Sequence, residues 1–375
     1  MKRLLQLVII GCSFLPFASF AQLHIEHPTL PLGSSAPDFN LKGVDGKTYT
    51  LASFKTSPLL VIVFTCNHCP TAQAYEDRIK KLVIDYASKG VTLIAIMPND
   101  PKAVQLSELG YTDMGDSYEE MKVRAKEKSF NFPYLYDGET EATAKAYGPV
   151  ATPHVFIFDK DRKLRYQGRI DDVEKPSLTP KNLDTRNAIE ALLKNSEPPV
   201  ASTKTFGCSI KWAEKEDLEK KNMEAWAKEP VKVDVIDEAG VRDLVDNRSD
   251  KLRVINFWSN GNQLSKSEFK NFVTANRMYR ARDFEWISIN IDGAAKKEDV
   301  LKFLKQQQAS ATNYVFTSDK VAELASAFDP NWKGQVPYTL IVETGGKIVL
   351  AKQGAIDPFQ LKKTIVENHM IGRYY

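Results

Sequence analysis

The sequence predicts an α/β protein of two similar domains, each with a mixed central sheet flanked by helices. Apolar, β-branched runs of strand length alternate with segments whose apolar residues recur at helical spacing. This order of elements returns about 190 residues later, a period that indicates a duplicated domain and not a solenoid. A chain of 375 residues is also too long for one ordinary core.

The first pass along the chain begins with a hairpin over residues 39–51, turned at Asp45-Gly46. A continuous apolar run over residues 59–64 is typical of a strand buried on both faces. The following elements are a helix over 72–87, a strand over 91–97, a helix over 118–128, a strand over 133–136, a helix over 140–147, a hairpin over 155–168 and a helix over 182–194.

Residues 213–230 are rich in Lys and Glu and predict a helical, solvated linker after a first domain that spans residues 22–212. The second domain, residues 231–375, repeats the order of elements. Its predicted strands are 231–236, 254–258, 286–291 and a hairpin of 338–342 with 348–352; its predicted helices are 265–280 and 358–368.

The first 21 residues have the layout of a secretory signal peptide. Lys2 and Arg3 precede an apolar stretch, and Ser19-Phe20-Ala21 resembles a cleavage site. The prediction is an exported, periplasmic protein. Residues 9–12 also resemble a lipoprotein box, so a lipid anchor on Cys12 is the alternative. No later apolar run is long enough to span a membrane.

Export leaves three cysteines, of which Cys66 and Cys69 form a Cys-x-x-Cys pair directly after a predicted buried strand. The start of the following helix carries partial positive charge, which stabilises a thiolate. The sequence therefore predicts Cys66 as the nucleophile and Cys69 as the resolving thiol, with His68 adding positive charge. Zinc is disfavoured because no second cysteine pair exists.

Ala151-Thr152-Pro153 lies directly ahead of a predicted strand. With this segment the sequence resembles the thioredoxin superfamily. The resemblance implies a cis-proline at Pro153, facing the cysteine pair as a platform for a partner strand. It implies a second at Pro337. The first domain resembles more narrowly the redoxin family, which is peroxiredoxin-like and related to AhpC/TSA, through FTCNHCP (64–70), AKAYG (144–148), GRIDD (168–172) and GCSIKW (207–212).

The second domain resembles a TlpA-type thioredoxin domain more loosely, and it contains no cysteine. Asn262 and Ser265 stand where a thioredoxin has its cysteines, and neither can exchange disulfides. We expect this domain to serve binding, docking or dimerisation. Cys208 has two open interpretations: a resolving thiol brought back over the site, or a buried inert thiol.

The leading hypothesis is an exported thiol–disulfide oxidoreductase that acts on protein thiols or disulfides with an unidentified redox partner and no cofactor. A peroxiredoxin-like thiol peroxidase is the first alternative, although neither cysteine has the required Pro and Thr or Ser upstream. A copper-handling module using Cys66, Cys69 and His154 is the second. A non-catalytic partner-binding protein is the third. Near-equal numbers of basic and acidic side chains give no indication of nucleic-acid binding.

Overall fold

The computed structural model describes residues 27–175, 177–319, 324–325, 328–329 and 332–374. The predicted signal peptide and Cys12 lie outside these residues. In the described part, no helix combines the length and apolarity needed to cross a membrane.

The first sheet has seven strands in the order β2-β1-β5-β4-β3-β6-β7. Strands β3, β4 and β5 run parallel, and β6 pairs antiparallel with β3. All six side chains of β3 are buried because helices cover both faces of the sheet centre. The strands are β1 (Asn40–Gly43), β2 (Thr48–Thr50), β3 (Leu59–Phe64), β4 (Val91–Met97), β5 (Tyr134–Tyr136), β6 (His154–Phe158) and β7 (Leu164–Gly168).

Four helices complete the first domain: α1 (Pro70–Tyr86), α2 (Tyr118–Glu127), α3 (Ala142–Tyr147) and α4 (Asp184–Leu193). Helix α1 begins at Pro70, two residues before its predicted start. Proline suits the first helical position because its missing N–H would have no partner within the helix.

The second sheet has six strands in the order β13-β12-β9-β10-β11-β8. Its five strands from β13 to β11 repeat the first sheet's order from β7 to β5. The outer strands differ, since β8 is parallel to β11 whereas β1 is antiparallel to β5. The strands are β8 (Asp234–Ile236), β9 (Leu252–Trp258), β10 (Phe284–Asn290), β11 (Thr312–Phe316), β12 (Tyr338–Glu343) and β13 (Lys347–Gln353).

Among the described residues, the further α-helices are α5 (Glu216–Ala227), α6 (Glu238–Asp246), α7 (Gln263–Tyr279), α8 (Lys297–Gln306) and α9 (Pro358–Glu367). Helix α5 fills the predicted linker, but it is not wholly solvated. Its Trp226 is buried, and the guanidinium groups of Arg277 and Arg280 lie 5.0 and 5.6 Å from the Trp226 ring.

Both proline peptide bonds predicted to be cis, Thr152-Pro153 and Val336-Pro337, are cis. Together with the two sheets, they confirm an α/β fold with two thioredoxin-like domains. Strand β11 and helices α6 and α8 were not predicted. They are short and complete the second domain by packing Val241, Val300 and Val315 into its core.

Candidate active site

Cys69 lies at the point where the loop after β3 enters α1, and it is the residue that caps this helix. The backbone N–H group of Cys208 donates to its sulfur over 3.3 Å. The neighbouring thiols of Cys66 and Cys208 and the charge of His68 also favour its ionised form. The Cys69 sulfur is thus surrounded by donors, which is the environment of a thiolate.

The pKa values of the two cysteines are the reverse of those predicted. Burial raises the pKa of Cys69, but hydrogen bonds from Cys208 and Cys66 and the charge of His68 outweigh it and leave the pKa well below its ordinary value. Burial, the hydrogen bond to Cys69 and the charge of Asp116 raise the pKa of Cys66 well above its ordinary value. These directions oppose the prediction of Cys66 as the ionised cysteine, because Cys69 and not Cys66 is the residue at the start of α1.

His68 forms an ion pair with Asp116, with its Nδ1 2.6 Å from a carboxylate oxygen. Burial lowers the pKa of His68, but the charge and hydrogen bond of Asp116 raise it above its ordinary value overall. The same carboxylate accepts from the backbone N–H groups of Asn67 and His68 and from Asn99 Nδ2. Asp116 therefore fixes both the charge of His68 and the path of the loop.

The side chain of Asn67 also holds the loop between β3 and α1 in place. It donates to the carbonyl of Gly115 over 3.1 Å and accepts from the hydroxyl of Tyr134, also over 3.1 Å. Gln73 on α1 donates to the Asn67 carbonyl over 2.6 Å. Each polar group of Asn67 is used structurally, so this residue has no part left for a substrate.

Thr152, which precedes cis-Pro153, contacts both cysteines of the motif. Its hydroxyl lies 3.1 Å from the Cys66 sulfur, and its carbonyl oxygen lies 3.5 Å from the Cys69 sulfur, which donates to it only when Cys69 is protonated. The turn before β6 thus faces the cysteine pair, as the family resemblance implied for Pro153.

Cys208 comes back over the site and lies against the same turn. Its carbonyl accepts from the Thr152 N–H over 2.9 Å, and the two residues form an antiparallel bridge. The hydrogen bond to Cys69 and burial raise the pKa of Cys208, which keeps its thiol protonated. Cys66 is 3% exposed and Cys69 is 0% exposed, whereas Cys208 is partly exposed. Cys208 is therefore the most exposed of these three cysteine residues.

Cys66, Cys69 and His154, the ligands of the alternative copper site, are not brought together in the described part of the chain. Nδ1 of His154 accepts from the backbone of Val150 over 3.3 Å, and the ring packs on Phe156. Burial lowers the pKa of His154 to about 3. Within the described part of the chain, the side chains with metal-binding atoms that do come together are Cys66, His68 and Asp116. His68 Nδ1 and an oxygen of Asp116 already form an ion pair with each other.

The second domain has the same arrangement of strand end, helix start and cis-proline, but it has no thiols there. Phe64 pairs with His154 after cis-Pro153, and Phe257 pairs with Tyr338 after cis-Pro337, so the register aligns Phe64 with Phe257. Counting onward, Asn262 matches Cys69. Asn262 caps α7 by accepting from Ser265 N and donates to the Val336 carbonyl over 3.0 Å.

Asp116 and Thr152 are the site residues that the sequence did not reveal. Asp116 lies in a polar stretch between β4 and α2 that has no periodicity, and its distance along the chain from His68 gives no signal. Thr152 was visible only as the neighbour of Pro153. Its contact with Cys66 depends on the pairing of β3 with β6.

The sequence model of the AhpC/TSA family matches residues 32–167 and 232–351, which is one segment in each domain. A thiol-disulfide oxidoreductase ResA of Geobacillus thermodenitrificans is 21% identical over 167 residues, 44% of this chain and 83% of the relative. Crystal structures of a hypothetical protein of Sinorhizobium meliloti and an uncharacterised conserved protein of Geobacillus kaustophilus are 34% and 40% identical. They match 50% and 48% of this chain and 97% and 92% of their own, with TM-scores of 0.44 and 0.43.

Proposed function

The chain belongs to the AhpC/TSA family, and from that membership we propose that it is an exported thiol–disulfide oxidoreductase with Cys69 as its central sulfur. The curated relatives named thiol-disulfide oxidoreductase support redox activity of this general kind. The observation that carries the proposal is the surroundings of the Cys69 sulfur: the backbone N–H of Cys208 donates to it over 3.3 Å, the thiols of Cys66 and Cys208 are its neighbours, and the His68–Asp116 ion pair lies beside it.

The exposure of Cys208 and its position beside Cys69 lead to a Cys69–Cys208 redox couple. In the oxidised form, a thiolate of a partner protein attacks the accessible sulfur of Cys208, and Cys69 leaves as a thiolate. A low leaving-group pKa speeds this step. The partner's second thiol then attacks its own sulfur in the mixed disulfide, which releases the Cys208 thiol and a partner disulfide. The reverse sequence reduces a partner disulfide.

Cys66, His68 and Pro153 have supporting roles in this scheme. The protonated Cys66 thiol would donate to the Cys69 thiolate, and a Cys66–Cys69 disulfide stays the prediction from the sequence. His68 contributes positive charge. The turn at Pro153 presents Thr152 to whichever segment lies over the site, and in this structure that segment is residues 207–209.

The test is a disulfide-exchange assay on the full mature chain with a dithiol peptide as the partner. Cys69→Ser and Cys208→Ser are expected to reduce exchange to the background rate. Cys66→Ser is expected to keep a measurable rate, since a serine hydroxyl can still donate to Cys69. Full activity in Cys69→Ser would contradict the proposed function.

Peptide mapping of the oxidised protein identifies the couple. A Cys69–Cys208 linkage with Cys66 free supports the scheme above. A Cys66–Cys69 linkage would keep the oxidoreductase and return Cys208 to an accessory role. Sequencing the N-terminus of the exported protein tests the localisation, with Gln22 as the expected first residue.

A further inference from the structure

A long loop of the first domain is held by the second. The bridging loop, residues 104–116, follows β4 and ends two residues before α2. Two of its side chains, Val104 and Leu109, are buried in the hydrophobic core of the second domain, among residues of α7 and β10. The bridging loop therefore belongs by sequence to one domain and by packing to the other.

Three polar side chains of the second domain hold the rest of the bridging loop. Tyr279 donates its hydroxyl to the Thr112 carbonyl over 2.7 Å. Arg282 donates to the Gly110 carbonyl over 2.7 Å and lies over the ring of Tyr111. Arg373 forms a two-pronged pair with Asp113, with distances of 3.0 and 2.9 Å. Asp113 is almost fully buried, so this pair is a firm attachment.

The bridging loop ends at Asp116, three residues after the contact with Arg373. Asp116 is buried and accepts four hydrogen bonds: from the Asn67 and His68 backbones, from the His68 ring and from Asn99. The attachment to the second domain and the contact with His68 are therefore separated by only a short, fixed piece of backbone.

We propose that the second domain is a positioning element for the redox site: it holds the bridging loop so that Asp116 keeps His68 charged beside Cys69. The inference rests on the proposed function only in taking Cys69 as the reactive sulfur. It gives the cysteine-free domain a chemical task without requiring it to bind a substrate. Tyr279, Arg282 and Arg373 are the positioning residues.

The electrostatic consequence has a definite sign. Without Asp116, burial and the charge of Lys211 favour the neutral form of His68, and the charge of Cys69 opposes them. Cys69 then loses a positive neighbour and its pKa rises. Among the residues that the structure describes, the other titratable groups that act on this cluster include Cys66, Cys208, Tyr134, Lys211 and Glu108. None of these five belongs to the second domain, and the contacts of that domain described above reach the cluster through the bridging loop.

The experiment follows the ultraviolet absorbance of the Cys69 thiolate against pH in the reduced full-length protein, with Cys69→Ser as the blank. Arg373→Ala is expected to raise the titration midpoint by about one pH unit, which is about tenfold less thiolate below the midpoint. Tyr279→Phe, which removes a single hydroxyl, is expected to raise it by a smaller amount. Near-ultraviolet circular dichroism verifies that both variants are folded.

Arg165→Ala is the matched control, because Arg165 pairs with Asp159 over 2.7 Å on the first domain, away from the bridging loop. Its midpoint should equal that of the parent. If Asp116→Asn raises the midpoint but Arg373→Ala and Tyr279→Phe do not, the positioning role is refuted and the oxidoreductase stands. If the parent shows no Cys69 thiolate near neutrality, both proposals fail.

Discussion

The two domains share one arrangement of strand end, helix start and cis-proline, but different residues occupy it. In each, a phenylalanine, Phe64 or Phe257, lies at or next to the end of a strand, a helix begins six residues after it, and a cis-proline lies opposite. The capping residue contacts the carbonyl before that proline in both: Cys69 with Thr152, and Asn262 with Val336. The geometry of a thioredoxin-like site is thus kept by a residue that cannot exchange disulfides. Fold and activity are separable in one chain.

The second difference lies in the aspartate that supports the loop. In the second domain, Asp292 accepts from the Asn260 backbone and from the Ser259 hydroxyl directly after β10. The register places Asn99 at the corresponding position of the first domain. There the carboxylate comes instead from Asp116, at the end of the bridging loop. The inserted loop is what brings a charged partner to a histidine.

The largest expected effect comes from exchanging the capping residues. Cys69→Asn places the second domain's residue in the first, where the amide can still cap α1 and contact Thr152. We expect the fold to be retained and the disulfide-exchange rate to fall to background, measured with the dithiol peptide. Residual exchange well above background would show that Cys66 and Cys208 suffice without Cys69.

His154 occupies the register position of Tyr338 and predicts a pH effect on stability. Its folded pKa of about 3 lies below the unfolded value of 6.5, so the unfolded chain binds a proton first. Its contribution to stability is complete above pH 6.5 and is lost as pH falls toward 3. At pH 4 the loss is about 3 kcal/mol.

Urea unfolding of His154→Phe tests this contribution. Between pH 7 and pH 4 the parent should lose about 3 kcal/mol more than the variant. Equal losses in the two proteins would mean that His154 is protonated in the folded state. Tyr338→Phe, at the matching position of the second domain, should have the same pH dependence as the parent.

His68→Gln removes the charge that has no counterpart in the second domain. We expect the thiolate midpoint of Cys69 to rise by about one pH unit and the exchange rate near pH 6 to fall about tenfold. The raised pKa of His68 also stabilises the parent. This stabilisation is complete below pH 6.5 and disappears as pH rises through the folded pKa, so urea unfolding of parent and variant should converge at alkaline pH.

The smallest effect is expected in the second domain. Asn262→Ala removes the cap of α7 and should lower the free energy of unfolding by about 1 kcal/mol. The exchange rate of the first domain should not change. A loss of exchange in this variant would show that this arrangement in the second domain takes part in the chemistry.

Much of the fold could be predicted because its central strands are continuous apolar runs, such as Leu59–Phe64, and its turns contain glycine. The cysteine motif was also recognisable locally, and the resemblance to the thioredoxin superfamily implied both cis-prolines. The roles of the two cysteines were not, since they depend on where α1 begins and on donors from Cys208, which is distant in sequence. Asp116 and helix α8 depend on tertiary packing, and no local pattern indicates either.

Gly207 allows Cys208 to lie close to Cys69. Its φ of 126° is one that other residues rarely adopt, and a side chain there would place its first carbon 2.0 Å from the Thr152 carbonyl oxygen. Gly207→Ala would therefore push Cys208 away from Cys69, although all three cysteines would remain in the protein. The position of Cys208 beside Cys69 therefore depends on the glycine at position 207.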